Sequence, residues 1–208
     1  MGVSSSHRHF CRASSRRTLE KEDNMSRVNA IPTVYNGIEF RSRLEAKWAV
    51  VFNELGWTWE YEPIDLDGYI PDFILTFPYA PILVEVKPAT TREQLEDATT
   101  KIENSGWTEE ALIVGATTNF DEACQFPMFG LVSQNHTYPE GVDTTWWDYA
   151  TFHKCSACKR QSFHHMSGAW FCHVCGKGDG DHYLEPSDAL NNAWKIATNT
   201  IKYRHGKR

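Results

Sequence analysis

The apolar positions between Tyr35 and Gly115 fall into segments whose period changes from helix-like to strand-like. Phe40, Leu44, Trp48, Val51, Phe52 and Leu55 recur at steps of three and four, the spacing that lines one face of a helix. Ser42 to Glu45 reads as a capping box at its start, and Gly56 stops it. Just upstream, Asn36-Gly37 predicts a tight hairpin turn between Tyr35 and Ile38, because both residues tolerate positive φ. Downstream, Trp57-Thr58-Trp59-Glu60-Tyr61 alternates as a strand, and Asp67-Gly68 turns the chain. Phe73 to Phe77 and Ile82 to Val84 are strand-like runs joined by Pro78-Tyr79-Ala80-Pro81, so they should pair as a hairpin. Thr90-Thr91-Arg92-Glu93 predicts a cap for a second helix carrying Leu95, Ala98 and Ile102 and ending near Ser105-Gly106. Ala111 to Gly115 reads as a buried strand. Helix, three strands, helix, strand is the order of an α/β fold with a mixed sheet.

Beyond Gly115 the pattern weakens. Met128 to Val132 predicts one more strand, and Trp146-Trp147 predicts core or a seam between units, with base stacking as the alternative. Ser187 predicts the cap of a terminal helix whose face of Leu190, Ala193, Trp194, Ala197 and Ile201 should dock on the main core, followed by Lys202, Arg204, Lys207 and Arg208. Residues 1–24 combine Ser, Arg and Lys with little apolar content, so a disordered tail over 1–30 is expected, and Met25 is an alternative start. The chain then divides into a main domain over 31–145, a small cysteine-bearing unit over 146–185 and a basic C-terminal helix over 186–208.

Composition adds two limits. No apolar run approaches the ~20 residues needed to cross a bilayer, and no secretory h-region opens the chain, so a cytoplasmic protein without membrane contact is expected. The net charge of −6 divides unevenly, with +3 over residues 1–30, −14 over 31–150 and +5 over 151–208. An acidic centre repels phosphates unless bound metal offsets it and basic segments supply attraction. Glu96, Asp97, Glu109, Glu110, Asp121 and Glu122 are expected as a solvated face.

One group of acids is placed for chemistry. Pro71-Asp72 is followed, after twelve intervening residues, by Glu85-Val86-Lys87. Side chains two apart on a strand share a face, so Glu85 and Lys87 should point together, with Asp72 reaching them from the partner strand. Carboxylates suit Mg²⁺ or Mn²⁺, which can hold a phosphate oxygen and acidify a bound water. With Phe40-Arg41-Ser42-Arg43-Leu44-Glu45-Ala46-Lys47-Trp48-Ala49 upstream, these residues resemble the PD-(D/E)xK nuclease superfamily, in particular its phage and bacterial members. The resemblance covers about Tyr35 to Gly115. It implies a restriction-endonuclease-like αβββαβ core and metal-dependent hydrolysis of DNA, with RNA left open. It also implies that Glu45, Asp72 and Glu85 hold catalytic Mg²⁺ (or Mn²⁺), while Lys87 serves the attacking water or the scissile phosphate. Glu45 has a second reading as a helix cap. Arg41, Arg43, Lys47, Arg92 and Lys101 read first as ordinary exposed helix cations, and of these Arg41 and Arg43, close to Glu45, are singled out as candidate contacts to backbone phosphates.

The cysteines point to a different metal. Cys155-x-x-Cys158, thirteen residues, then Cys172-x-x-Cys175 is a zinc signature similar to a zinc ribbon, with Gly176 placed for the left-handed turn of the second knuckle. Four thiolates leave no open position, so Zn²⁺ here is expected to be structural. Two disulfides are the alternative, which a reducing compartment disfavours. Cys11 and Cys124 lack such spacing and read as a tail thiol and a small buried residue. Lys159 and Arg160 are candidate nucleic-acid contacts, joined by Lys154, His164, His165, Lys177, His182 and the aromatics Trp170 and Phe171, which otherwise pack the small core. His153 and His173 flank the knuckles without being needed as ligands. The reading is a DNA nuclease, against a non-catalytic nucleic-acid-binding protein on the same fold or a zinc-ribbon interaction protein.

Overall fold

The computed structural model describes residues 30–137, 143–168, 170–178 and 180–202. The tail with Cys11 and Met25, and Arg204, Lys207 and Arg208, lie outside the described residues.

Strands β1 (Thr33–Tyr35) and β2 (Ile38–Phe40) form the expected hairpin, with Asn36 and Gly37 at φ of 49° and 79°. Helix α1 (Arg43–Leu55) begins where Ser42 Oγ accepts the Glu45 N–H and ends at Gly56, whose φ of 68° suits glycine. Strands β3 (Thr58–Tyr61), β4 (Phe73–Thr76) and β5 (Pro81–Val86) follow as an antiparallel meander. Between β5 and its parallel neighbour β6 (Ala111–Val114) the single expected helix is two short ones, α2 (Arg92–Glu96) and α3 (Thr99–Glu103). The break comes at Ala98, whose N–H turns back to the Leu95 carbonyl. Gln94, not Glu93, closes the start of α2 by accepting from the Thr90 and Thr91 N–H groups.

The largest departure from expectation lies beyond β6. Strand β7 (Met128–Thr137) is longer than the run that announced it, and β8 (Asp143–Cys155) is a 13-residue strand that the sequence pattern did not predict. Strands β9 (Gln161–His165) and β10 (Leu184–Glu185) both pair with β8. The result is an eight-stranded mixed sheet, ordered β10-β8-β7-β6-β5-β4-β3 with β9 on β8, followed by helix α4 (Ala189–Thr200). The expected boundary after residue 145 falls inside β8, so the cysteine-bearing segment grows out of the main sheet.

The core explains this continuity. On one face α1 presents Trp48 and Phe52 to Phe73, Phe129 and Val84. Phe163 of β9 packs its ring on Trp57, Phe77 and Phe129, so the segment between the two cysteine pairs fills the main core. Helix α4 docks on α1 as expected, through Leu190, Ala193 and Ala197, with Trp194 against Trp48. Its N-cap is Asp188; Ser187 Oγ accepts the Ala189 N–H. On the other face Leu83, Ile113 and Leu131 pack under Leu95 and Ile102. Among the described residues no helix is long and apolar enough to cross a membrane.

Candidate functional site

Three carboxylates meet at the N-terminal end of α1. Glu45 lies in the first turn of that helix, and the β4–β5 register, which pairs Phe73 with Val84, sets Asp72 opposite Glu85. All three are buried, at 7%, 4% and 4% exposure. Each of their six oxygens has a protein donor. Asp72 accepts from Arg41 Nη2 at 2.6 Å and from the Val86 N–H at 2.7 Å. Glu85 accepts from Lys87 Nζ at 2.6 Å and from the Tyr69 hydroxyl at 2.9 Å. Glu45 accepts from the Ser42 and Tyr61 hydroxyls, both at 2.7 Å. Ser42 thus caps the helix, but the Glu45 carboxylate turns inward to Tyr61 and does not complete a capping box.

The charge at this end is not balanced. Burial, and then the neighbouring Glu85, push the Asp72 carboxyl up to about 7, even though the Val86 N–H and Arg41 pull the other way. Burial and the bond to Glu45 raise the Tyr61 phenol, and burial with the charge of Glu85 raises Tyr69, so both stay protonated donors. Arg41 is shared between Asp72 and Glu62, with Glu62 Oε1 2.6 Å from its Nε. Tyr61, Glu62 and Tyr69 were not singled out in the sequence. The alternation of Trp59 and Tyr61 marks a strand face but carries no sign that a phenol would reach Glu45.

At the other end of α1 stand the cysteines. The Arg160 guanidinium lies over Gly56, Trp57 Nε1 donates to the Gln161 carbonyl at 3.2 Å, and Tyr79 of the β4–β5 turn packs on Phe171. Gly176 has a φ of 70° and faces the Tyr79 ring so closely that any side chain there would collide with it. Cys155, Cys158, Cys172 and Cys175 bring their sulfurs within 4.8 Å of one another and could hold a metal ion such as zinc. Cys155 to Cys175 and Cys158 to Cys172 are each 3.8 Å apart, the edge of a tetrahedron with Zn–S bonds of about 2.3 Å. Burial pushes the Cys172 thiol up to about 12, so the metal-free cluster holds protons that a metal must displace. Among the described residues this is the one group of three or more His, Cys, Asp or Glu side chains so closely gathered; Glu45, Asp72 and Glu85 are spread wider.

The remaining candidates divide. Lys159 and Lys154 share Glu185, at 2.6 and 3.5 Å, and Arg160 is exposed. Arg43 is half-buried at the start of α1. Lys47 lies over Trp194, Lys101 over Tyr69, and Arg92 pairs with Glu96 and Asp148, so these three are engaged within the fold. Trp147 donates to Glu103 while Trp146 is exposed; Trp170 is exposed while Phe171 packs on His173. Cys124 is half-buried, not buried as expected. Glu110, expected in solvent, takes a 2.8 Å bond from His173. His164 and His165, expected among surface cations, are buried; burial and the nearby His153 push His164 down to about 3, and burial pushes His153 to about 4, so both are neutral. No family model, curated protein or solved structure matches the chain.

Proposed function

We propose that the protein is a metal-dependent DNA nuclease of the PD-(D/E)xK type, with Glu45, Asp72 and Glu85 as its acidic set and Lys87 beside the reacting phosphate. One observation carries this reading: three buried carboxylates converge from a helix and two paired strands, with the proton affinity of Asp72 raised by burial and then by its acidic neighbour Glu85. Such crowding costs stability and is common where a cation or a reaction has to be served.

The donor set fits a hard divalent cation. Each carboxylate oxygen has two acceptor directions and uses one on a protein donor, so Asp72 and Glu85 can each add a ligand bond. The three acids are too far apart to close on one ion as they stand, so Glu45 would act through a water or follow a side-chain shift. Bound Mg²⁺ or Mn²⁺ would supply charge at a phosphate oxygen and a more acidic water. Lys87, released from Glu85 Oε1, would donate to the phosphate or orient that water. Tyr69 and Tyr61 would hold Glu85 and Glu45 in place while Lys87 moves.

The test is nicking of supercoiled plasmid, run beside linear, branched and single-stranded DNA and RNA, with Mg²⁺ or Mn²⁺. Asp72→Ala and Glu85→Ala should each lose cleavage by roughly 10²-fold or more while retaining DNA binding, and Lys87→Ala should stay slow at saturating metal. Unchanged cleavage in Asp72→Ala would remove the acidic set from the chemistry. A second reading, nucleic-acid binding without cleavage, is favoured by the pairing of all six carboxylate oxygens. DNA binding with no metal-dependent nicking on any substrate would select it.

A further inference from the structure

The cysteine end holds ligand atoms that four thiolates do not use. Among the described residues six buried side-chain polar atoms lack a hydrogen-bond partner, and four are imidazole nitrogens: His153 Nε2, both nitrogens of His165, and His182 Nε2. Buried polar atoms without partners are rare, and two of the six, Thr151 Oγ1 and His153 Nε2, lie on one face of β8. On the face of β8 that carries Thr151 and His153, His153 and His164, 0% and 4% exposed, face each other with their Nδ1 atoms 3.2 Å apart. The Thr151 carbonyl oxygen lies 3.4 Å from His153 Nδ1. The β8–β9 register fixes this meeting, because it pairs His153 with Ser162 and Thr151 with His164.

Two neutral imidazoles can approach in this way for two reasons. One Nδ1–H can donate to the other ring, which leaves a Thr151 contact too long to be a good bond. Alternatively, both lone pairs can point at one ion. A tetrahedral ion with Zn–N bonds of about 2.0–2.1 Å separates its ligands by about 3.3–3.4 Å, which matches the 3.2 and 3.4 Å spacings. Access exists, since His164 borders a cavity of about 410 Å³ that His165, His173, Glu110 and Gln134 also line.

We infer that His153 Nδ1, His164 Nδ1 and the Thr151 carbonyl form a second metal site, distinct from the four cysteines, for a borderline divalent ion of the Zn²⁺, Co²⁺ or Ni²⁺ class. Imidazole selects that class, while the carboxylate end of the molecule suits harder ions. His153 and Cys155 lie two apart on β8 and share a face, so the site stands about 7 Å along the strand from the nearest thiolate. Unlike the cysteine site, it keeps an open position toward the cavity, so its ion exchanges while the thiolate-bound one does not.

Equilibrium dialysis of the reduced, full-length protein against Zn²⁺ in a large excess of Mg²⁺, which holds the carboxylate end, with elemental analysis for zinc, decides the matter. The expected stoichiometry is two ions per chain, one of them removed by a mild chelator without loss of the folded state. His164→Gln keeps the size and hydrogen-bonding capacity of the ring position and should bind one ion. Two ions in His164→Gln would overturn the inference. One ion in the wild type at saturating Zn²⁺ would overturn it as well, and this holds even if the variant fails to fold. The imidazole ¹⁵N resonances of the wild type supply a further readout: Nδ1 of both His153 and His164 should shift on addition of the second equivalent, and shifts confined to other histidines would place the ion elsewhere.

Discussion

The two ends of α1 bury polar groups in opposite ways. At its N-terminus three ionised or ionisable carboxylates sit against Arg41 and Lys87, and charge dominates. At its C-terminal side, about 16 Å along the helix from Glu45 to Gly56, four thiols and the neutral His153 and His164 are packed among aromatic rings, and the charged Lys154, Lys159 and Glu185 lie outside that packing. Hard oxygen ligands are gathered at one end, soft and borderline sulfur and nitrogen ligands at the other. The segregation means that two chemically different cations would not compete for one set of residues. It also means that an ion at the cysteine end cannot serve chemistry at the acidic end, so its contribution reaches the acids only through the fold.

The largest test of this division is loss of a ligand from the cysteine cluster, which could hold a metal ion. Because β8 belongs to the main sheet and Phe163 lies in the main core, Cys172→Ser should lower the melting temperature of the entire protein in one transition. A loss of several kcal/mol is expected, since structural zinc supplies much of the folding free energy of small metal-bearing units. Separate melting of residues near 150–185, with the rest unchanged, would show two independent units and break the coupling. Phe163→Ala, which leaves the cysteines alone, should cost about 3–5 kcal/mol for the same reason. Full retention of stability in that variant would show that β9 merely covers the core.

The difference between the ends also bears on what could be read in the sequence. The hairpin at Asn36-Gly37, α1, the β4–β5 pair and the cysteine spacing were legible because each is written locally, in a turn dipeptide, a period or a fixed interval. Asp72, Glu85 and Lys87 were legible because strand alternation and the hairpin place them together, whereas Glu45 joined them only through the family resemblance. Strand β8 was not, because its neighbours change along its length: Asp143 to Tyr149 pair with β7, Ala150 to Lys154 pair with β9 while Thr151 also meets Met128 of β7, and Lys154 and Cys155 pair with β10. No single alternation of apolar and polar residues suits both surroundings. The buried histidines were misread as surface cations for a related reason, since their burial depends on how β9 folds over the sheet. Glu110 was misread because its partner His173 is 63 positions away.

A smaller effect separates the acidic end from an ordinary salt-bridge network. In protein lacking Mg²⁺ but keeping its cysteine-bound metal, Asp72→Asn should be more stable than wild type at pH 8, by on the order of 2 kcal/mol. The sign follows from the raised proton affinity: the unfolded carboxyl ionises near 3.8, the folded one near 7, so the wild type loses stability as pH rises between those values. Below pH 4 the two proteins should unfold alike. Saturating Mg²⁺ should reverse the order at pH 8 if it binds this carboxylate. A destabilised Asp72→Asn at pH 8 would mean that the Arg41 and Val86 contacts outweigh the repulsion and that the cluster is structural.

The smallest expected effect concerns DNA at the cysteine end. Lys154 and Lys159 are both occupied by Glu185, and His153 and His164 are neutral, so among the described residues Arg160 and Lys177 are the exposed cations left to phosphates at this end. Each lost contact to duplex DNA reduces the slope of log affinity against log salt by roughly 0.9. Lys159→Ala, made in a Lys87→Ala background that slows cleavage and leaves Asp72 in place, should change that slope by less than about half of this amount, because the lysine must first leave Glu185. Arg41→Ala should change it by nearly the full amount if Arg41 passes from Asp72 to a phosphate when metal binds. The comparison is a binding titration over a range of salt concentrations for both variants. A full-unit loss with Lys159→Ala and none with Arg41→Ala would reverse the assignment, making the cysteine end the grip on DNA and Arg41 a fixed partner of Asp72.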